Sequence, residues 1–194
     1  MNKSNDRIKT LTTAAMLAAL CYIGFAFLKI DIPVPGTGEK TAFHLGNVFC
    51  IMAALCLNGL WGGLAGAVGM TIADLTSGYA TSAPKTFILK LCIGLITGLV
   101  AHRLLHIKAE TNRSRITWKA AVSSTAGMAF NVVADPIVGY FYKRYLFGLE
   151  QDFAAALAKI SAVTTLVNAV IAVIVATIFY LALRPALARM DMLK

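Results

Sequence analysis

The sequence predicts an all-α membrane protein of six transmembrane helices, with the N and C termini both in the cytoplasm. Three observations predict it. Hydrophobic residues make up 58% of the 194 positions and charged residues only 14%, against about 45–50% and about 25% in soluble domains. Several apolar segments approach the ~20 residues that a membrane helix needs. The lysines and arginines fall unevenly on the segments between them. This composition excludes a disordered tail, a disulfide scaffold and an ordinary soluble enzyme, and 1–194 reads as a single integral membrane domain.

The helices are expected at about 8–28, 44–59, 60–76, 85–105, 117–142 and 153–184. The first is not a cleavable signal peptide: its start is basic, but no small-residue cleavage site follows before Lys29. The stretch from Leu45 to Ala73 carries no charge and is too long for one ordinary span. Asn58-Gly59 and Gly62-Gly63 break it, so two short helices of roughly 14–17 residues are expected, joined by a very tight turn. A single tilted helix is the alternative there. The segment between Lys29 and Phe43 contains Pro33, Pro35, Gly36 and Gly38 and reads as an outer loop.

Orientation follows from charge. With the N terminus inside, the inner segments hold eleven basic residues and the outer ones six, with Lys90 inside a span. The bias rests mainly on Arg103, Lys108, Arg113, Arg115 and Lys119. The net charge of +9 therefore reflects topology and anionic lipid rather than nucleic acid. Cys21, Cys50, Cys56 and Cys92 all lie in apolar stretches, without CxxC spacing or clustered histidines. They read as small buried residues, and no metal or cofactor is implied.

Polar groups in hydrocarbon must find partners, so each is informative. Ser124, Gly127, Asn131 and Asp135 share one face of the fifth helix, and Pro136 follows the acid. Ser161, Thr164 or Thr165, and Asn168 offer a matching face on the sixth, while Lys85 and Lys90 open the fourth. Together they can line a polar cavity facing outward. The plainer readings are that Asn131 and Asn168 join helices, and that Asp135 pairs with Lys85 or Lys90 without any ligand. Outer-end aromatics such as Tyr79 and Tyr140 are belt residues or stack on a flat heterocycle. His44 reads as a helix-end residue.

Small residues recur at spacings of four. Gly59/Gly63, Gly62/Gly66 and Gly94/Gly98 read as internal packing, whereas Ala14/Ala18 and Ala15/Ala19 on the first helix can serve a partner protein. Gly36-Thr37-Gly38-Glu39-Lys40-Thr41 fails the phosphate-loop pattern because Glu39 separates glycine from lysine. No nucleophile–base pair, zinc motif or carboxylate pair appears, so nothing supports enzyme chemistry. Any ATP-driven work belongs to other chains.

The run His44-Leu45-Gly46-Asn47, then Asn58-Gly59-Leu60-Trp61-Gly62-Gly63, Ala73-Asp74-Leu75, Gly78-Tyr79, Ala83-Pro84-Lys85-Thr86-Phe87 and Lys90 resembles the substrate-binding S components of energy-coupling factor (ECF) vitamin transporters. It is most similar to the riboflavin and hydroxymethylpyrimidine/pyridoxine branch. The resemblance is dense over about 44–100 and weaker elsewhere. It implies a six-helix subunit in a prokaryotic-type cell membrane that captures a vitamin from outside, with a shared membrane component and two cytoplasmic ATPases as partners. It implies docking of the shared component on Ala14, Ala18, Ala15 and Ala19, and a pocket built from Lys85, Lys90, Asn131, Asp135, Asn168 and Tyr79. The 30–43 loop becomes the gate. Asn47 stands where many relatives have an acid, which leaves that position without an assigned role. Pyridoxine, hydroxymethylpyrimidine, riboflavin and a deazapurine-like base all suit such a site. A stand-alone facilitator without ATPases and a non-transport membrane subunit are the alternatives from other classes.

Overall fold

The computed structural model describes residues 3–34, 40–190 and 192, and its apolar segments become six helices. They are α1 (Lys3–Ala26), α2 (Gly46–Cys56), α3 (Gly59–Thr76), α4 (Ala83–Gly98), α5 (Arg113–Phe141) and α6 (Gln151–Arg189). A wider π-type turn extends α4 over Leu99–Leu104 and another extends α5 over Tyr142–Leu146. Four of these regions, Arg7–Ala26, Ala80–Leu104, Arg113–Leu146 and Gln151–Arg189, are long and apolar enough to cross a membrane.

The long uncharged stretch does split in two. Asn58 ends the turn by accepting a hydrogen bond from the Trp61 amide at 3.0 Å, an N-cap that satisfies one of the free amides of α3. The split is unequal, however. With 11 residues, α2 is only about 16 Å long, and α3 has 18. The shortfall comes from both ends: the turn into α3 begins at Leu57, and residues 44 and 45 belong to the preceding segment.

That segment is a β-hairpin rather than a loop. β1 (Lys29–Pro33) pairs antiparallel with β2 (Lys40–His44), in a register that sets Ile30 against Phe43 and Ile32 against Thr41. The alternation Lys-Ile-Asp-Ile fits a strand with two unlike faces. The pairing is short, and Pro33 sits at its far end, where a missing N–H is tolerated. Pro35, Gly36 and Gly38, and most of the rejected phosphate-loop stretch, lie outside the described residues, as do Lys194 and the side chain of Lys3.

Polarity is inverted relative to a water-soluble core. Val163 on α6 is 64% exposed, whereas Asn131 on α5 is 1% exposed. Hydrocarbon satisfies the first and the protein interior must satisfy the second. Helices approach through their small residues. A Cβ on Gly94 would overlap the backbone of Gly63, and one on Gly98 the backbone of Gly59. α3 and α4 therefore meet backbone to backbone. Gly69 meets the Ala18 carbonyl of α1 in the same way. This faces Ala14 and Ala18 inward, as buried and half-buried residues, while Ala15 and Ala19 remain exposed on the outer side of α1.

At the end away from the hairpin, Arg184 of α6 ties down the α4–α5 connection. Its guanidinium donates to the carbonyls of Ile107 at 3.0 Å and Lys108 at 3.0 Å, to the Glu110 carbonyl, and to the Tyr180 hydroxyl at 2.9 Å. Asn112 then caps α5 by accepting from the Ser114 and Arg115 amides.

Candidate functional site

A cavity of about 240 Å³ lies beneath the hairpin, between β2 and the neighbouring ends of the helices. The six residues singled out from sequence, Lys85, Lys90, Asn131, Asp135, Asn168 and Tyr79, all line it. They play different parts there.

Asp135 is the hub of α4, α5 and α6. Its carboxylate takes an ion pair from Lys85 at 2.9 Å and hydrogen bonds from Ser161 at 2.6 Å and Thr165 at 3.1 Å. Ser161 and Thr165 reach it together because residues four apart share a helix face. The polar stripe on α5 divides along its length. Ser124 donates back to the Ala120 carbonyl at 2.7 Å, Gly127 packs on Thr97 of α4, and Asn131 and Asp135 face the cavity.

Asn168 is committed to the hairpin. It accepts from the His44 amide at 3.1 Å and donates to the Ala42 carbonyl at 3.0 Å. One side chain from α6 thus supplies β2 with the two bonds a neighbouring strand would give.

Tyr79 owes its place to the end of α3. Gly78 has φ of +80°, and the Tyr79 amide returns to the Asp74 carbonyl at 3.0 Å, a glycine-terminated helix end. The Tyr79 hydroxyl donates to Asp31 of β1 at 2.8 Å. Lys29 and Lys40 place their ammonium groups 4.8 and 4.7 Å from its ring centroid. Both also pair with Asp31, at 3.2 and 3.4 Å. Burial alone would raise the Asp31 pKa; the Tyr79 hydrogen bond and the two lysines outweigh it and hold the carboxyl below its ordinary value. The hairpin is therefore fastened on two sides, to α6 through Asn168 and to the α3–α4 corner through Asp31.

Asn131 and Lys90 are the two predicted residues whose polar ends are not consumed. Asn131 Oδ1 has no hydrogen-bond partner among the described residues, and neither does the Lys90 ammonium, on a residue that is 7% exposed.

Among the lining residues that sequence reasoning missed are Asn47, Asp74, His44 and Phe25. Asp74 follows directly on the uncharged stretch, inside the expected third helix, and has no role assigned to it from sequence. It is 2% exposed and lines the same cavity as the hairpin residues Ala42 and His44. Phe25 looked like one more apolar residue of α1. Its ring meets Tyr79 edge-on at 5.5 Å and His44 at 4.6 Å.

Residues 5–185 match the family described as ECF-type riboflavin transporter, S component. No curated protein and no solved structure matches the chain. The family match runs from α1 almost to the end of α6 and so takes in every wall of the cavity, from Phe25 to Asn168. The chain therefore belongs to the ECF-type riboflavin transporter S-component family and is a substrate-binding subunit of a membrane transporter.

Proposed function

We propose that the protein captures a vitamin or related small heterocycle from outside the cell, for ATP-driven uptake with a shared membrane component and two ATPases. The observation that carries this reading is the convergence of Lys85, Lys90, Asn131, Asp135, Asn168 and Tyr79 on one cavity under a fastened hairpin. At about 240 Å³ the cavity lies just below the usual range of small-molecule sites, about 300–1,000 Å³. The basic residues of the α4–α5 connection support a plasma-membrane topology with the hairpin outside and both termini inside. In this reading Lys90 and Asn131 contact the ligand. Lys85 and Asp135 hold the walls, and Asn168 and Tyr79 hold the gate. Of the small residues on α1, Ala15 and Ala19 are free to meet the shared component.

Native mass spectrometry of the purified protein, followed by denaturing extraction of any bound molecule, tests this. The expected result is one vitamin-sized heterocycle per chain. An empty protein that also shows no thermal shift with a vitamin panel overturns it, and uptake in cells lacking the coupling module replaces it with a facilitator.

A further inference from the structure

The three most buried polar side chains of the cavity wall each leave an acceptor idle. Asn47 Oδ1, Asp74 Oδ2 and Asn131 Oδ1 have no partner among the described residues, on side chains of residues 1, 2 and 1% exposed. They come from α2, α3 and α5. Lys90 enters from α4, and its ammonium makes no hydrogen bond or ion pair among the described residues although Asp74 borders the same space. An enclosed acceptor without a donor costs about 1–3 kcal/mol, and more when charged. Native proteins leave few such groups, and each calls for an explanation. Three of them around one cavity, beside an unpaired cation, describe a surface completed by something else.

The geometry points to a neutral nitrogen heterocycle whose N–H donor, in the ring or on an amino group, lies next to a carbonyl or ring-nitrogen acceptor, with the donor read by Asp74 and the acceptor by Lys90. This rests on the capture reading above and gives it a specificity. The two opposite charges do not meet, so a ligand between them must donate to one and accept from the other. Asn47 and Asn131 extend the same pattern, since each amide presents a donor and an acceptor in one plane. A planar edge with adjacent N–H and acceptor atoms pairs with such amides in two places at once. A carboxylate or phosphate would suit the lysines that border the cavity, but it brings no hydrogen to Asp74, Asn47 or Asn131 and leaves all three acceptors idle. A fixed cation would do the reverse. A lone hydroxyl brings one hydrogen to three acceptors.

Calorimetry on the purified wild-type protein tests the inference with two parent probes and their blocked forms: riboflavin and its imide N-methyl derivative, and hydroxymethylpyrimidine and its dimethylamino derivative. At least one parent is expected to bind, with its blocked form weaker by about 100-fold or more, since a site built around a donor rejects an analogue that lacks it. Asp74→Asn, which keeps an acceptor, should stay within about tenfold of wild type, and Asp74→Leu should lose about 100-fold or more. Equal affinity for a parent and its blocked form overturns the inference and leaves capture intact. Binding of neither parent by folded protein overturns the inference, and the capture reading falls with it only if the vitamin panel also gives no thermal shift.

Discussion

Lys85 and Asp135 meet at 2.9 Å across α4 and α5, with side chains only 13 and 15% exposed. Ser161 and Thr165 complete the carboxylate from α6. The acid that sequence marks as a ligand-binding candidate is therefore already occupied, and its first role is to join three walls of the cavity.

Breaking this pair from one side should cost more than removing both partners. Asp135→Asn leaves a buried ammonium uncompensated, at about 3–5 kcal/mol. The double variant Lys85→Met/Asp135→Leu should recover much of that loss. Thermal unfolding of the two variants in detergent checks the order, and equal destabilisation would show that the unpaired ammonium carries no penalty of its own.

Asn168→Ala removes both bonds from β2 and leaves the His44 amide and the Ala42 carbonyl unpaired. The expected loss is about 2 kcal/mol, felt locally in the hairpin. Limited proteolysis between β1 and β2 should accelerate while the helices stay protected. An unchanged cleavage rate would mean that Asp31 and Tyr79 hold the hairpin unaided.

Gly94→Val should abolish monodisperse protein, because the new side chain overlaps the Gly63 backbone and α3 cannot yield without losing its seam with α4; overpacking of this kind costs about 3 kcal/mol or more. Gly139→Ala is the matched control. Its Cβ meets only the end of Lys85, at 3.5 Å, and size-exclusion profiles should be unchanged.

The connection near Arg184 gives a pH signature. Lys119 bonds Glu110 at 2.8 Å, and this contact, with the amides of Asn112 and Thr111, lowers the Glu110 pKa from 4.5 to about 2. A depressed carboxyl contributes in full above its unfolded value and loses that contribution as pH falls toward the folded one. Protection of the loop amides should thus hold from pH 7 to 5 and decline between about 4.5 and 2. Glu110→Gln should be less protected at pH 7 and flat through the acid range.

Ala15→Leu and Ala19→Leu should leave folding and ligand affinity unchanged and abolish uptake, if the exposed face of α1 meets the shared component. Ala14→Leu should fail earlier, at folding, since Ala14 is buried. Loss of ligand affinity in Ala19→Leu would count against a docking role.

The sequence reading located the helices well because hydrocarbon imposes a simple rule on length and polarity. The Asn58 break and the α5 face of Asn131 and Asp135 follow from that rule and are present in the structure. The hairpin was not legible. Five-residue strands carry little periodicity, and the proline and glycines between them mask it. Asp74 and Asn47 were hidden for a different reason: they join the site only when α2, α3 and the hairpin come together around one cavity, which is a long-range event. Asn168 lay on the expected wall, yet its partners are backbone atoms, and no side-chain pattern announces those.

Asn168 lies 124 residues beyond His44, the strand residue whose amide it holds. A chain inserted from its N terminus makes the hairpin early and the clamp last. Until α6 leaves the ribosome, β2 lacks its Asn168 clamp and the cavity lacks a wall. Ligand capture therefore waits on α6, and a bound ligand marks the molecules in which that helix is already in place.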